Sequence, residues 1–144
     1  MDRRTVLQIL AATSILGVAV GARAGSSLVV VVNPKNPVRS IGAGDIETIF
    51  TTRKLDWPSG QRVVPFNFPA RHPLREAFDR AALHLDPDEA ARYWIDRRIR
   101  GGHPPPRQVP DMATMIRVVA SLETAIGYVY REEVDGSVRA VGEV

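Results

Sequence analysis

The fold of this chain depends on one stretch, Leu28-Val29-Val30-Val31-Val32-Asn33-Pro34-Lys35-Asn36-Pro37. Its first five residues are all apolar, and the two Asn-Pro pairs that follow cannot continue a central strand. A strand that alternates apolar and polar residues has one buried face, whereas a strand that is apolar at every position is buried on both. The sequence therefore predicts a strand at residues 28–32 with both faces covered.

Residues 1–24 have the three parts of a secretory signal peptide, so we do not expect them to belong to the fold. Arg3-Arg4 is a positive start, residues 5–21 are mostly apolar and small, and Ala22-Arg23-Ala24 is a cleavage site. The paired arginines also resemble the twin-arginine export pattern, which leaves the export route open. The alternative is an uncleaved anchor, because the apolar segment approaches the roughly 20 residues that span a bilayer. We predict cleavage, and contact with a membrane only if the segment is retained.

The remaining residues, 25–144, are enough for a single domain with one core. Cleavage removes three arginines and one aspartate, which lowers the formal net charge from +3 to +1. The basic charge of the whole chain therefore gives no support to nucleic-acid binding. The chain has no cysteine, which excludes disulfides and thiolate metal sites. An exported, periplasmic domain of this composition is held by packing alone.

Strand and helix patterns alternate along this domain. Four residues mark the expected starts of helices, because each suits a cap or a first helical position. They are Gly42, Pro73, Asp86 and Asp111. Strands separated by helices indicate an α/β fold of three layers, in which a mainly parallel sheet has helices on both faces. The further strands are predicted at residues 62–67, 125–129 and 138–141, and the helices are predicted to begin at Ala43, Pro73, Pro87 and Met112.

The third predicted helix has an apolar side and a basic end. We expect Trp94 in the core and Tyr93 at its rim. The residues on the apolar side are Ala91, Trp94, Ile95 and Ile99.

A basic segment follows this helix and includes Arg100, His103 and Arg107, with two glycines and three prolines between them. One interpretation is that the arginines complement the helix dipole and the loop is solvated. The other is that the segment is an exposed, stiff contact loop for an acidic partner or for membrane headgroups.

Six segments then carry a likeness to a known family: Val31–Val38, Asp45–Phe50, Trp57, Val63-Val64-Pro65, Leu74–Phe78 and Ala125–Val129. In composition and order they resemble the phosphate ABC transporter substrate-binding proteins. The resemblance covers nearly all of the mature chain and implies one lobe of a type 2 periplasmic binding protein, in a short single-lobe form. A cleft between two lobes loses one wall in such a form, and a homodimer would restore it.

The resemblance also implies where a ligand would bind. In that family a Gly-Ser-Gly-Thr run, preceded by Arg and Asp, follows the second strand and holds the oxyanion. Here the run falls on Arg71-His72-Pro73-Leu74, so the hydroxyl donors are lost, and Pro73 has no amide hydrogen. Arg71, His72 and Arg75 are the candidate ligand-binding residues, with a solvated helix start as the alternative. We therefore predict weak or absent binding of inorganic phosphate.

Other chemistry has little support in the sequence. His72, His84 and His103 lack metal-ligand spacing, and no hydrolase or nucleotide-binding motif is present. We therefore expect neither an enzyme nor a cofactor. Two functions remain: a substrate-binding-protein-like domain with small-oxyanion binding, or an envelope adaptor or sensor module that binds another protein.

Overall fold

In the computed structural model, which describes residues 27–144, the valine run forms the strand β1, Leu28–Val32. All of its residues are buried, and Val30 and Val31 are completely inaccessible. The strand lies between β4, Ala125–Tyr130, and β5, Arg139–Glu143. The prediction of a central strand covered on both faces is confirmed. The signal peptide predicted at residues 1–24 lies outside the described residues and stays a prediction.

The sheet has five strands in the order β3-β2-β4-β1-β5, where β2 is Val64–Asn67 and β3 is Arg107–Gln108. β2 is parallel to both β3 and β4, whereas β1 is antiparallel to both β4 and β5. Four strands therefore run in one direction, and the valine strand runs against them. The predicted sheet is confirmed as mostly parallel, with β1 as the exception. The valine run does not reveal the direction of β1, because a strand buried on both faces has the same apolar pattern whether it is parallel or antiparallel to its neighbours.

The helices begin at the residues that the sequence predicts. Pro73 and Pro87 occupy first-turn positions, and Asp86 forms a capping box with Glu89. Beyond its α-helical part, the second helix continues as a π-helical segment, Asp79–Leu83. The helices are α1, Ala43–Phe50, α2, Pro73–Phe78, α3, Pro87–Ile99, and α4, Met112–Ser121.

Two neighbouring residues of β4 show how both faces of the sheet are covered. Gly127 faces α4, where a Cβ atom would collide with Sδ of Met115, so the missing side chain allows the helix to approach closely. Tyr128 faces the other way, and its ring stacks on Phe78 of α2 at a centroid distance of 3.8 Å. The ring of Phe50 in α1 meets Tyr128 edge to face at 5.8 Å. Helices therefore lie on both faces, as the predicted three layers require.

α3 differs from the sequence prediction. Ile95 is 59% exposed and Ile99 is 79% exposed, while Trp94 is only half-buried. The helix is attached through its other side, where Tyr93 Oη donates to the carbonyl oxygen of Thr51 at 2.8 Å. The prediction that Trp94 lies in the core is wrong. Periodicity identifies residues that share a side of a helix, but not whether that side meets the core.

Replacement of Val31 by Asp should test the buried strand. The carboxylate would lie in the interior without a partner, so we expect a loss of several kcal/mol, a large share of a small domain's stability. Chemical denaturation of the purified variant measures this loss. Ser40→Asp, at an exposed position, is the matched control and should change stability by less than about 0.5 kcal/mol. A Val31→Asp variant that unfolds cooperatively at the wild-type midpoint would contradict the burial.

Candidate functional site

β2 and β3 end side by side and define the surface where the resemblance implies a ligand. Asn67 pairs with Gln108, and the amide of Val109 donates to the carbonyl oxygen of Asn67 at 2.8 Å. Each strand leads directly into a helix, β2 into α2 and β3 into α4. Since parallel strands end at the same side of a sheet, the two loops and helix starts lie together, where α/β folds bind ligands. We call residues 68–72 and 109–111 the strand-end surface.

His72 caps the first of these helices. Its Nδ1 accepts a hydrogen bond from the amide of Leu74 at 3.2 Å, and Pro73 between them has no amide hydrogen. The imidazole also stacks on the ring of Phe68, with a centroid distance of 4.6 Å. The first free amide of α2 is therefore already used by the chain itself.

Asp111 caps α4 in the same way. Its Oδ1 accepts a hydrogen bond from the amide of Thr114 at 2.7 Å. Hydrogen bonds from the amide and the side chain of Thr114 lower the pKa of Asp111, and the nearby charges of Arg117 and His72 act in the same direction. Asp111 is therefore ionised at neutral pH and places a negative charge on the strand-end surface.

Arg75 lies beneath this surface and is 5% exposed. Its Nε donates to Oδ2 of Asp79 at 2.9 Å, and its Nη1 donates to the carbonyl oxygen of Phe68 at 2.9 Å. Burial raises the pKa of Asp79, although the charge and the hydrogen bond of Arg75 oppose the shift. Oδ1 of this carboxylate has no hydrogen-bond partner among the described residues. The guanidinium thus ties the loop after β2 to the interior of the lobe.

A second buried polar contact holds the end of β2. The hydroxyl of Tyr128 donates to Oδ1 of Asn67, which also accepts from the amide of Phe68 at 2.9 Å. Burial raises the pKa of Tyr128, so its hydroxyl stays protonated as a donor. The loop that would hold a ligand is therefore fixed from below by Tyr128 and Arg75.

Arg71 is the remaining candidate ligand residue, and it differs from the other two. Its side chain is exposed and makes no hydrogen bond or ion pair within residues 27–144. The structure therefore brings Arg71 and His72 to the strand-end surface and places Arg75 below it. Sequence reasoning missed Asp111 as a member of this surface. Its N-cap pattern was visible, but its neighbourhood depends on the pairing of the two-residue strand β3.

The basic segment after α3 forms a second surface. Gly101 has a φ of +72° and ends the helix, and the chain then passes through His103-Pro104-Pro105-Pro106-Arg107, which we call the proline ridge. His103 and Arg107 are exposed on the ridge. Arg100 is also exposed, but its Nε donates to Oδ1 of Asp96 at 2.9 Å on α3. The structure thus brings together two of the three predicted contact residues and pairs the third with its own helix.

Two other features bear on function. Residues 27–144 contain no group of three His, Cys, Asp or Glu side chains arranged to hold a metal ion. Within the same residues, no helix is long and apolar enough to cross a membrane.

Solved structures of phosphate-transport proteins share this fold. An ABC-type phosphate transport receptor from Vibrio cholerae matches with a TM-score of 0.64 at 20% identity, over 81% of this chain and 45% of that one. A Clostridium perfringens protein assigned to the phosphate ABC transporter substrate-binding proteins was solved with bound phosphate. It matches with a TM-score of 0.66 at 20% identity, over 81% of this chain and 44% of that one. PstS from Borrelia burgdorferi matches with a TM-score of 0.65 at 12% identity, over 81% of this chain and 47% of that one.

The chain therefore spans less than half the length of each of these three structures. No protein-family model and no curated protein matches its sequence. The single-lobe fold implied by the resemblance is confirmed.

Replacement of Arg75 by Ala tests whether this residue serves the interior. The change leaves the carboxylate of Asp79 buried without its partner, so we expect a loss of about 3 kcal/mol in the free energy of unfolding. Arg71→Ala, four residues away but exposed, should cost less than about 0.5 kcal/mol. Urea denaturation of both variants measures the difference. Equal, small losses in the two variants would show that Arg75 is not a structural residue.

Proposed function

We propose that the protein is an exported adaptor module, which uses the lobe of a substrate-binding protein to engage another protein and does not capture inorganic phosphate. This proposal rests on one observation, which is that amides at the strand-end surface already have hydrogen-bond acceptors within the chain. The amides of Leu74 and Thr114, at the starts of α2 and α4, are each occupied by a side chain of the same helix cap. An anion that used these two amides would have to displace the side chains of His72 and Asp111.

Phosphate recognition needs fixed donors, because each oxygen that leaves water must regain a hydrogen bond. Here the hydroxyl donors implied by the resemblance are absent, Pro73 has no amide hydrogen, and Asp111 adds a negative charge. Three lost contacts at about 1.5 kcal/mol each weaken affinity roughly a thousandfold. A micromolar site would therefore become a millimolar one.

Weak binding of a small oxyanion is the second candidate function, and one observation favours it. Arg71 presents an exposed guanidinium at the strand-end surface without a partner among the described residues. Its attraction for an anion would act through solvent, so salt would screen it. Such a contact suits low-affinity binding rather than capture for transport.

The proposal assigns the protein to the periplasm, where the signal peptide predicted at residues 1–24 would deliver it. It requires no cofactor and no catalytic step. The fold shared with a phosphate transport receptor and with a protein solved with bound phosphate supports a binding role for this lobe.

Isothermal titration calorimetry with phosphate tests the proposal. The protein is first unfolded and refolded to remove any bound ligand, and sulfate and simple carboxylates are titrated in parallel. We expect no saturable heat below millimolar phosphate, and no difference between wild type, Arg71→Ala and the control Arg39→Ala, which is exposed in the loop after β1. Saturable micromolar binding that is lost in Arg71→Ala and retained in Arg39→Ala would overturn the adaptor role and restore solute capture.

A further inference from the structure

α3 exposes an apolar strip formed by Ile95 and Ile99, which lies outside the hydrophobic core of the described residues. Ile95 and Ile99 are 59% and 79% exposed, whereas most large apolar side chains of this lobe are buried. Trp94 adds a half-buried ring beside them. Contiguous exposed apolar side chains on one helix mark an interaction surface more often than scattered ones do.

The exposure of this strip does not come from a loosely attached helix. A capping box formed by Asp86 and Glu89 fixes its start. Arg97 fixes its other end, where Nη2 donates to the carbonyl oxygen of Thr52 at 3.1 Å. Thr52 itself has a φ of +59°, which a β-branched residue adopts only when the surroundings hold it there. The lobe therefore holds α3 in one orientation, with the strip outward.

The proline ridge forms a wall of two grooves, of which the first also includes residues of this strip. The first has a volume of about 480 Å³ and lies between the ridge and the side chains of Trp94, Ile95 and Arg98. The second has a volume of about 250 Å³ and includes Lys54 and Arg62 on the opposite side of the ridge. His103, Pro104 and Pro105 line both grooves. The three prolines restrict the backbone angles of the ridge, so the wall that the two grooves share is stiff.

Both grooves are lined by basic side chains and by no acidic ones. Arg98, His103 and Arg107 have no carboxylate partner within residues 27–144. Lys54 and Arg62 do have partners, Asp45 at 3.0 Å and Asp56 at 3.9 Å, but these ion pairs are exposed. Exposed ion pairs contribute little energy and exchange partners readily. The surface therefore complements an occupant that is acidic and partly apolar.

We propose that this surface binds an acidic peptide segment of a partner protein across the proline ridge. An apolar side chain of the segment packs on Trp94 and Ile95, while its carboxylates meet Arg98 and Arg107. Tryptophan and arginine are the residues that most often dominate binding energy at protein interfaces. An extended chain reaches into grooves on both sides of a ridge, whereas a flat bilayer meets only the exposed crest of the helix. The assignment rests on the proposed adaptor role and names its surface and the chemistry of its partner.

The test is a selection of peptides from a random 12-residue library displayed on phage, with the purified protein as bait. We expect the selected peptides to be enriched in Asp and Glu together with aromatic or large aliphatic residues. A selected peptide is then synthesised with a fluorophore, and its anisotropy is measured against wild type and variants. Binding should weaken at least tenfold in Ile95→Glu and in Arg98→Glu, and should weaken further as salt is raised.

Two variants serve as matched controls at exposed positions of α4 and its end: Leu122→Glu for the apolar change and Arg117→Glu for the charge reversal. Both should bind the peptide within twofold of wild type, and melting curves confirm that all four variants are folded. Peptides that bind all four variants equally would overturn this surface but leave the adaptor role intact. No selected peptide, or none enriched in acidic residues, would overturn the proposed partner chemistry. Binding to phosphatidylglycerol vesicles that depends on Ile95 and Arg98, without peptide binding, would replace the protein partner by a membrane.

Discussion

Burial of β1 on both faces is the constraint on which the rest of the structure depends. A strand without a polar face needs a helical layer on each side, and these layers come from α4 on one face and from α1 and α2 on the other. The asparagine that ends the valine run then fixes α4, because Asn33 Nδ2 donates to the carbonyl oxygens of Val119 and Ala120 at 3.1 and 2.9 Å. These are carbonyls of the last turn of α4, which a helix leaves without internal partners. Asp111 caps the other end of the same helix, so the central strand helps to position one half of the strand-end surface.

The two surfaces of the lobe have opposite properties. The strand-end surface lies where parallel strands of α/β folds end, but the amides of Leu74 and Thr114 there are occupied by the chain's own caps, and Asp111 adds a negative charge beside the exposed Arg71. The surface around the proline ridge has cations that lack a carboxylate partner within residues 27–144, and it has exposed apolar side chains; both are features of a contact with another molecule. A loop that needs Arg75 inside the lobe cannot also offer it to an anion. The physical chemistry of the lobe therefore favours a partner at the ridge over a solute at the strand ends.

Local signals in the sequence predicted much of this structure. The first residues of the helices followed from caps and prolines such as Asp86 and Pro73, and the fully buried strand followed from the valine run. Long-range relations did not follow. The direction of β1 depends on how the chain returns to β2, and the outward face of α3 depends on the contact between Tyr93 and Thr51, which are 42 residues apart. The burial of Arg75 likewise depends on Asp79 and Phe68 closing around it, which no spacing rule reveals.

His72 and Asp111 already occupy the amides of Leu74 and Thr114 at the strand-end surface, and amide chemical shifts measure most directly whether phosphate can replace these caps. In ¹⁵N-labelled protein titrated with phosphate into the millimolar range, the resonances of Leu74 and Thr114 report whether an anion replaces His72 and Asp111 as acceptor. We predict that neither resonance shifts beyond a chloride control of equal ionic strength. Saturable shifts of both amides at micromolar phosphate would contradict the account and identify the lobe as a phosphate receptor.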